Sequence, residues 1–523
     1  MAGMDEKQGA TQEFRCFSES PIWAMNEQYY QEQGLEAWRS GVVPHQASSN
    51  SRIGKTMAEL ILGYLKDLAL KGESSETVYI IELGAGHGRL AYHILKHLDR
   101  LIELTNVEVP NYCYVLTDII EESLEFFLSH IQFEDYFNSG KLDVAYFDAV
   151  KSEELDLRFS HKKITSGSLQ QSTIVLANYI FDSIPSDLFQ INDGVLSACE
   201  VRVNFDLADQ DKTTEEEEAK TLFEFKKEEV VGDYYEDKIY DQIIHSYKTE
   251  LVDSHFYFPK ASFDCLSRIR EFSTKGMMVV SCDKGHHEIN DLQNIGEPDL
   301  IMHGSFSIWV NFNAFGKFCS IHGGAAYLPS YATNALQCVC LLFEEDHKSF
   351  QEVNNAYERF VDDFGPDDYI TLKKMSYDKI ESMSTEELIA MIRLSNYDST
   401  IFKNYLPQLK QLSEKLSMSD RRRLGQTMHK VWEMYFTIKE PFDLPFELGG
   451  FFFDLSFYEE AKFYFEQSMK LFGPKPDSYY NMALCHYQLR EDSLLVELIQ
   501  KAKFTFPDYQ RFLELDKLNL KAQ

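Results

Sequence analysis

The chain has 523 residues, 44% hydrophobic and 14% aromatic, a globular composition too long for one core, so roughly two to four domains are expected. Lys and Arg number 51 against 84 Asp and Glu, and the net charge of −33 repels a phosphate backbone, which argues against nucleic acid and is compatible with a basic protein partner. Nine scattered cysteines without a CxxC pair, an N-terminus without an apolar signal core, and no unbroken apolar run of ~18 residues argue against a disulfide scaffold, a zinc knuckle and a membrane span, and the expected location is the cytoplasm.

From Arg52 to Leu68, residues Ile53, Met57, Leu60, Ile61, Leu65 and Leu68 recur at helical spacing and predict a helix with one buried face. The next segments, TVYIIEL, RLAYHILKHLDRL, YCYVLTD, EESLEFFLSHI, LDVAYFD and STIVLAN, alternate strand and helix signals, the rhythm of a parallel sheet with helices on both faces. After Asn178 the runs ACEVRVNFDL and TLFEFKKE, joined by the acidic ADQDKTTEEEEAK, predict a hairpin inserted around 198–230. GMMVVSCD, from Gly276, resumes the sheet, and FSIWVNF and LQCVCLLFEE are expected to add an antiparallel pair at one edge.

Beyond Asp346 strand signals fade and the chain reads as helical, with Ser384 and Glu387 spaced as a capping box. Near the end a repeat of ~34 residues, the tetratricopeptide period, aligns Gly449 with Ala483, Phe465 with Ile499, Ser468 with Ala502 and Gly473 with Pro507, while Ala461 faces Leu495 in the second copy. The expected fold is thus α/β, a Rossmann-like, mostly parallel sheet with an antiparallel edge, followed by an all-α helical-repeat domain. Its expected parts are an N-terminal helical segment at 1–75, the sheet domain at 76–345, a helical linker region at 346–440 and tetratricopeptide-like repeats at 441–523.

The chemistry-bearing stretch is Glu82, Leu83, Gly84, Ala85, Gly86, His87, Gly88, between a strand and an amphipathic helix, where glycines let a ligand approach the backbone. A phosphate-binding loop needs GxxxxGK[ST], and the GKT at Gly54 to Thr56 has Ser49 at the first glycine position and no strand before it. A dinucleotide fingerprint needs GxGxxG, but position 89 is Arg, and Glu82 would meet a pyrophosphate at close range. In the following helix His93 and His97 lack the general-base Glu of a zinc-protease helix and are placed on its polar face, as surface histidines; no His or Cys spacing matches a compact metal site, so no metal is expected.

The pattern ExGxGxG resembles motif I of class I S-adenosylmethionine-dependent methyltransferases, whose cofactor is cationic and tolerates nearby carboxylates. The resemblance implies cofactor contacts from Glu82, Gly84, Ala85, Gly86 and Gly88, from Asp118 at the end of YCYVLTD toward the ribose hydroxyls, from Asp148 at the end of LDVAYFD toward the adenine amine, and from Asn178 at the end of STIVLAN. ANYIFDSIP (Ala177 to Pro185), SCDKGH and IWVNFNAF are further similar to segments of the MidA-like methyltransferases, and VVPHQASSNS (Val42 to Ser51) to that family's N-terminal portion, which folds over the cofactor, so the likeness implies that the helical segment at 1–75 covers the cofactor site. This likeness implies that Asn178, Tyr179, Asp182 and Asp283 surround the methyl acceptor, a protein side chain being one candidate. Tyr179 replaces a family Glu and Lys284 a family Tyr, which removes a negative charge expected there and argues against arginine as the acceptor. The competing expectation is a catalytically inactive methyltransferase fold acting as an interaction or assembly protein through its helical repeats.

Overall fold

The structure is a computed structural model that describes residues 13–40, 49–203, 223–298, 301–303, 305–331, 333 and 335–515. The acidic connector of the 198–230 insertion and most of VVPHQASSNS lie outside these residues. The chain divides into two compact units, residues 1–49 with 53–368 and residues 50–52 with 369–523.

The main strands of the first unit, in chain order, are β1 Arg15–Cys16, β2 Val78–Leu83, β3 Tyr112–Asp118, β4 Leu142–Tyr146, β5 Thr173–Asn178, β6 Asp187–Asn192, β7 Val195–Val203, β8 Phe223–Glu229, β9 Asp253–Phe258, β10 Met277–Asp283, β11 Ala325–Tyr327 and β12 Gln337–Phe343. Seven of them form one sheet in the order β11, β12, β10, β5, β2, β3, β4. β4, β3, β2, β5 and β10 run parallel, and β12 is antiparallel to both β10 and β11. β2 and β3 are buried along their whole length, as expected of strands covered on both faces, and that is why VYIIEL and YCYVLTD are continuous apolar runs rather than alternating ones.

A second, antiparallel sheet joins β1, β7, β6 and β9 in that order, with β8 also on β7. The run ACEVRVNFDL supplies β7, and its partner β8 pairs Phe223 with Val203 through to Glu229 with Ser197. The edge pair of the main sheet differs from expectation. FSIWVNF contributes only short bridging segments, and the helix Phe312–Ile321 begins inside it. Asn311 is the reason, because its side-chain oxygen accepts from the Ala314 amide at 3.1 Å and caps that helix; β11 takes the edge position instead.

The histidines also need correction. His93 is 1% exposed, because the helix Ser51–Leu70 covers that side of the helix Arg89–Leu104: a Cβ on Gly54 would lie 2.6 Å from the His93 Cβ. His97 is half-buried. No helix among the described residues is long and apolar enough to cross a membrane, and among them no group of three or more His, Cys, Asp or Glu is placed to hold a metal.

The second unit is helical. Ser384 caps Thr385–Leu394 with the full reciprocal pair to Glu387. Four further helices, Leu444–Asp454, Tyr458–Phe472, Pro476–Leu489 and Asp492–Thr505, end the described chain, with Pro at the first turn of the first and third. Gly449 lets the first two approach, since a Cβ there would lie 2.7 Å from the Phe465 ring. The aromatic run FFFDLSFYEEAKFYF is largely interior; Phe452 stacks on Tyr464 with centroids 5.1 Å apart. Asp443 caps the first helix at Phe446 and also accepts from Ser468 and Lys475.

The two units differ in charge. Of the chain's 51 Lys plus Arg and 84 Asp plus Glu, the helical unit holds 22 and 22, which leaves 29 and 62 in the α/β unit. The whole formal charge of −33 therefore belongs to the unit that carries the glycine loop.

Candidate functional site

β2 has β3 on one side and β5 on the other, so the chain order reverses there and a crevice opens at the carboxyl ends of the strands. The glycine loop fills this point. Gly84, Gly86 and Gly88 have φ of 60°, 60° and 73°, which L side chains rarely adopt. A Cβ would lie 2.8 Å from Ile180 at Gly84 and 3.1 Å from the Trp38 ring at Gly86. Gly88 instead packs away from the crevice, where a Cβ would lie 3.0 Å from the Phe127 ring.

The loop is tied to the next strand. Asp118 accepts from the Gly86 amide at 2.8 Å with one oxygen and from the Ile120 amide at 2.9 Å with the other, and the Ala85 amide donates to the Thr117 carbonyl at 2.8 Å. Glu82 is buried and accepts from the Tyr114 hydroxyl at 2.9 Å. Burial pushes its carboxyl up to about 8; the Tyr114 bond opposes this, and nearby Asp118 adds to it. Burial likewise raises Asp118 to about 6, against the pull of its amide donors. Both groups are thus predisposed to a cationic or hydroxyl-bearing partner that favours their ionised form.

Two residues past β4, Asp148 caps a turn by accepting from the Val150 amide at 2.8 Å, and pairs with Lys151 at 3.0 Å. Asn178 ends β5. Tyr179, next to it, has φ of 52°, an uncommon conformation for a bulky residue, held by its amide donating to the Cys282 carbonyl at 3.0 Å. Asp182 and Asp283 are neighbouring buried carboxyls: the Asp182 amide donates to Asp283 at 3.2 Å and the Ser183 hydroxyl to Asp182 at 2.8 Å. Burial raises both, and repulsion from Asp182 raises Asp283 further.

These strand ends open on one cavity of about 510 Å³. Glu82, Gly84, Ala85, Gly86, Asp118, Asp148, Asn178, Tyr179 and Asp182 line it; Gly88 and Asp283 do not, the latter being sealed beneath Asp182 at 0% exposure. Phe147, Ala149, Val150 and Ile119 give one end apolar walls, and Lys284 and Phe306 lie at the other residues' side with Asp182 and Ile184. The opposite wall comes from residues 18–38, through Ser18, Trp23, Asn26, Glu27, Tyr30 and Trp38. The expectation of an N-terminal segment covering the cofactor site named no residue of this wall. Its signal was the aromatic set in PIWAMNEQYY and LEAW, beginning with Pro21 at a helix start.

Residues 62–294 match a family described as "Putative S-adenosyl-L-methionine-dependent methyltransferase". No curated protein matches the chain at a significant level. Among solved structures, an uncharacterized ACR superfamily protein from Burkholderia thailandensis is 13% identical, with a TM-score of 0.35, covering 61% of this chain and 74% of that one. A member of the same superfamily from Burkholderia thailandensis, bound to S-adenosyl-homocysteine, is 12% identical, with a TM-score of 0.33, covering 64% and 88%. The CurJ carbon methyltransferase is 12% identical, with a TM-score of 0.24, covering 63% and 69%. Structural likenesses this distant carry no weight for the chemistry. Residues 62–294 are thus similar to the putative S-adenosylmethionine-dependent methyltransferases, and S-adenosylmethionine is the cofactor that this likeness supports.

Proposed function

We propose that the protein is an S-adenosylmethionine-dependent methyltransferase of the MidA-like type that modifies a basic acceptor, such as a protein side chain. The observation that carries this is the convergence of Glu82, the glycine loop, Asp118, Asp148 and Asn178 on one cavity at the switch point of a parallel sheet. The residues fit the cofactor. Left-handed Gly84 and Gly86 bring bare backbone to the cavity, the carboxyls suit a cationic nucleoside, and Phe147, Ala149 and Val150 suit a flat base.

In this reading Asp118 and Glu82 hold the ribose and the amino-acid part, Asp148 lies by the adenine, and Asn178 and Tyr179 position the reacting end. Bound S-adenosylmethionine supplies a methyl group on a sulfonium that is already a good leaving group. The chain's task is then mainly to align the acceptor for in-line displacement. Asp182, which borders the cavity, takes the proton that the acceptor loses, and Lys284 balances the charge of the Asp182–Asp283 pair. The negative charge of the α/β unit draws a cationic acceptor toward this cavity. We assign the helices from Leu444 to Thr505 to two tetratricopeptide-like repeats that recruit a partner, and place the protein in the cytoplasm.

Isothermal titration with S-adenosyl-homocysteine tests the reading. Micromolar binding that Gly86→Arg abolishes is the expected result, together with transfer of a labelled methyl group to a macromolecule in lysate. An absence of heat with both S-adenosyl-homocysteine and S-adenosylmethionine would falsify it and leave only a non-catalytic interaction role.

A further inference from the structure

Residues 13–40 form a strap across the cavity, fastened at several points. β1 pairs Arg15 with Val201. Phe17, Ile22 and Trp23 sit in a cluster with Leu188, Val201, Val203, Phe306 and Ile308. The Trp23 indole donates to the Phe17 carbonyl at 2.8 Å, and the Phe306 amide donates to Asn26 at 3.3 Å. Its far end turns at Gly34, with φ of 50°, where a Cβ would lie against the Glu122 carboxylate. Glu122 is on the helix that starts just beyond Asp118. The strap therefore bridges from the second sheet to the strand end that carries the acid.

Trp38 follows this turn, on the short helix Glu36–Arg39. Its ring lies over the second glycine of the loop: the nearest ring carbon is 3.1 Å from the position of a Gly86 Cβ. It stacks on Tyr30 at 5.9 Å and meets His87 edge-on at 5.8 Å. His87 is itself fixed, buried at 3% exposure with Nδ1 accepting from the Arg89 amide at 3.2 Å. Three neighbours thus hold the indole in place, yet it stays only half-buried and borders the cavity. An indole is rarely covered completely, so what matters is where its uncovered part lies. Here the uncovered part borders the space that a ligand in the glycine cradle fills.

We infer that Trp38 is a cofactor-binding residue, the strap's contact with an adenosyl nucleoside seated on Gly84 to Gly86, with Tyr30 as its backing. This rests on the methyltransferase reading of the same cavity. The site is then bipartite, with a carboxylate floor from the sheet and an aromatic wall from residues that precede the sheet in the chain. The indole gives the nucleoside a flat apolar face to rest on, while the carboxylates meet its polar groups.

The test uses the full chain and S-adenosyl-homocysteine as probe. Trp38→Ala is expected to weaken binding at least tenfold by titration calorimetry, and Trp38→Phe, which keeps an aromatic ring, less than threefold. The chain has four tryptophans, so intrinsic fluorescence gives a second readout that does not depend on Trp38→Ala folding. The change in emission on adding the nucleoside should be reduced in Trp38→Phe, with the remainder from Trp23, which also lines the cavity, and kept whole in Trp309→Phe, whose ring is 43% exposed and stacked on His286 outside the cavity. Unchanged affinity in Trp38→Ala, or an undiminished signal in Trp38→Phe, would overturn the assignment while leaving the methyltransferase reading intact. A wild-type chain that binds no nucleoside would instead bring down the reading on which the assignment rests.

Discussion

The α/β unit and the helical unit are built on opposite economies of charge. The first holds 62 acids against 29 bases and buries several of those acids at strand ends; the second holds 22 of each and places charged groups in local pairs, such as Lys462 with Glu491 at 2.8 Å and Lys475 with Asp443 at 2.8 Å. An excess of one sign destabilises a compact fold through self-repulsion, and buried carboxyls cost more still. The net charge is carried by the α/β unit alone, whereas both units bury acids: in the helical unit Asp398 and Asp443 are buried, and both cap helix starts.

The comparison can be pressed experimentally, beginning with the largest effect. Phe465→Ala removes the ring that fills the space beside Gly449 and should cost about 3–5 kcal/mol. Calorimetry should show the loss in the helical unit's unfolding, with nucleoside affinity unaltered; a loss confined to the other unit's transition would break the separation. Asp118→Asn removes a buried carboxylate from the cofactor side, and the binding constant should fall by roughly 30-fold, about 2 kcal/mol, as for hydrogen bonds to charged groups.

The pH dependence follows from the raised acids. Glu82 stands near 8 and Asp118 near 6, so at neutral pH the ligand-free site holds a proton on Glu82. A cationic ligand favours the ionised form, binding releases that proton, and affinity for S-adenosylmethionine should rise from pH 6 to about 8 and then level. The stability sign is opposite. With a folded value above the unfolded one, Glu82 contributes stability that is complete below about 4.5 and is lost as pH rises through about 8. Titration calorimetry in buffers of different ionisation enthalpy would detect the released proton; equal heats in all of them would remove this account. The smallest effect is that of salt. Raising ionic strength from ~0.05 to ~0.5 M shortens the screening length severalfold and should lift the melting temperature of the α/β unit by a few degrees while that of the helical unit hardly moves.

How much of this was legible in the sequence depended on whether a feature was local. The loop from Glu82 to Gly88 and the acids at successive strand ends could be read because parallel strands leave continuous apolar runs that stop at their carboxyl ends. The capping box at Ser384 and Glu387 was equally local. FSIWVNF misled because an apolar aromatic run does not distinguish a strand from a helix entrance, and Asn311 decided it. His93 misled because the helix's second face is covered by Ser51–Leu70, a contact between segments with no signature in either. A cover from the N-terminal segment was expected only in outline, and its residues went unnamed for the same reason: Trp38 and Gly86 are 48 positions apart and share no pattern.

The bond from Phe306 to Asn26 spans 280 residues. On a ribosome, where synthesis runs at about 5–20 residues per second, Asn26 waits roughly 14–56 seconds before its partner exists. The first-made part of the cavity is thus among the last to find its place. Until then Trp23 lacks the Phe306 ring that lies 4.8 Å from it in the folded protein, so this wall of the cavity stays incomplete until more than half of the chain has been made.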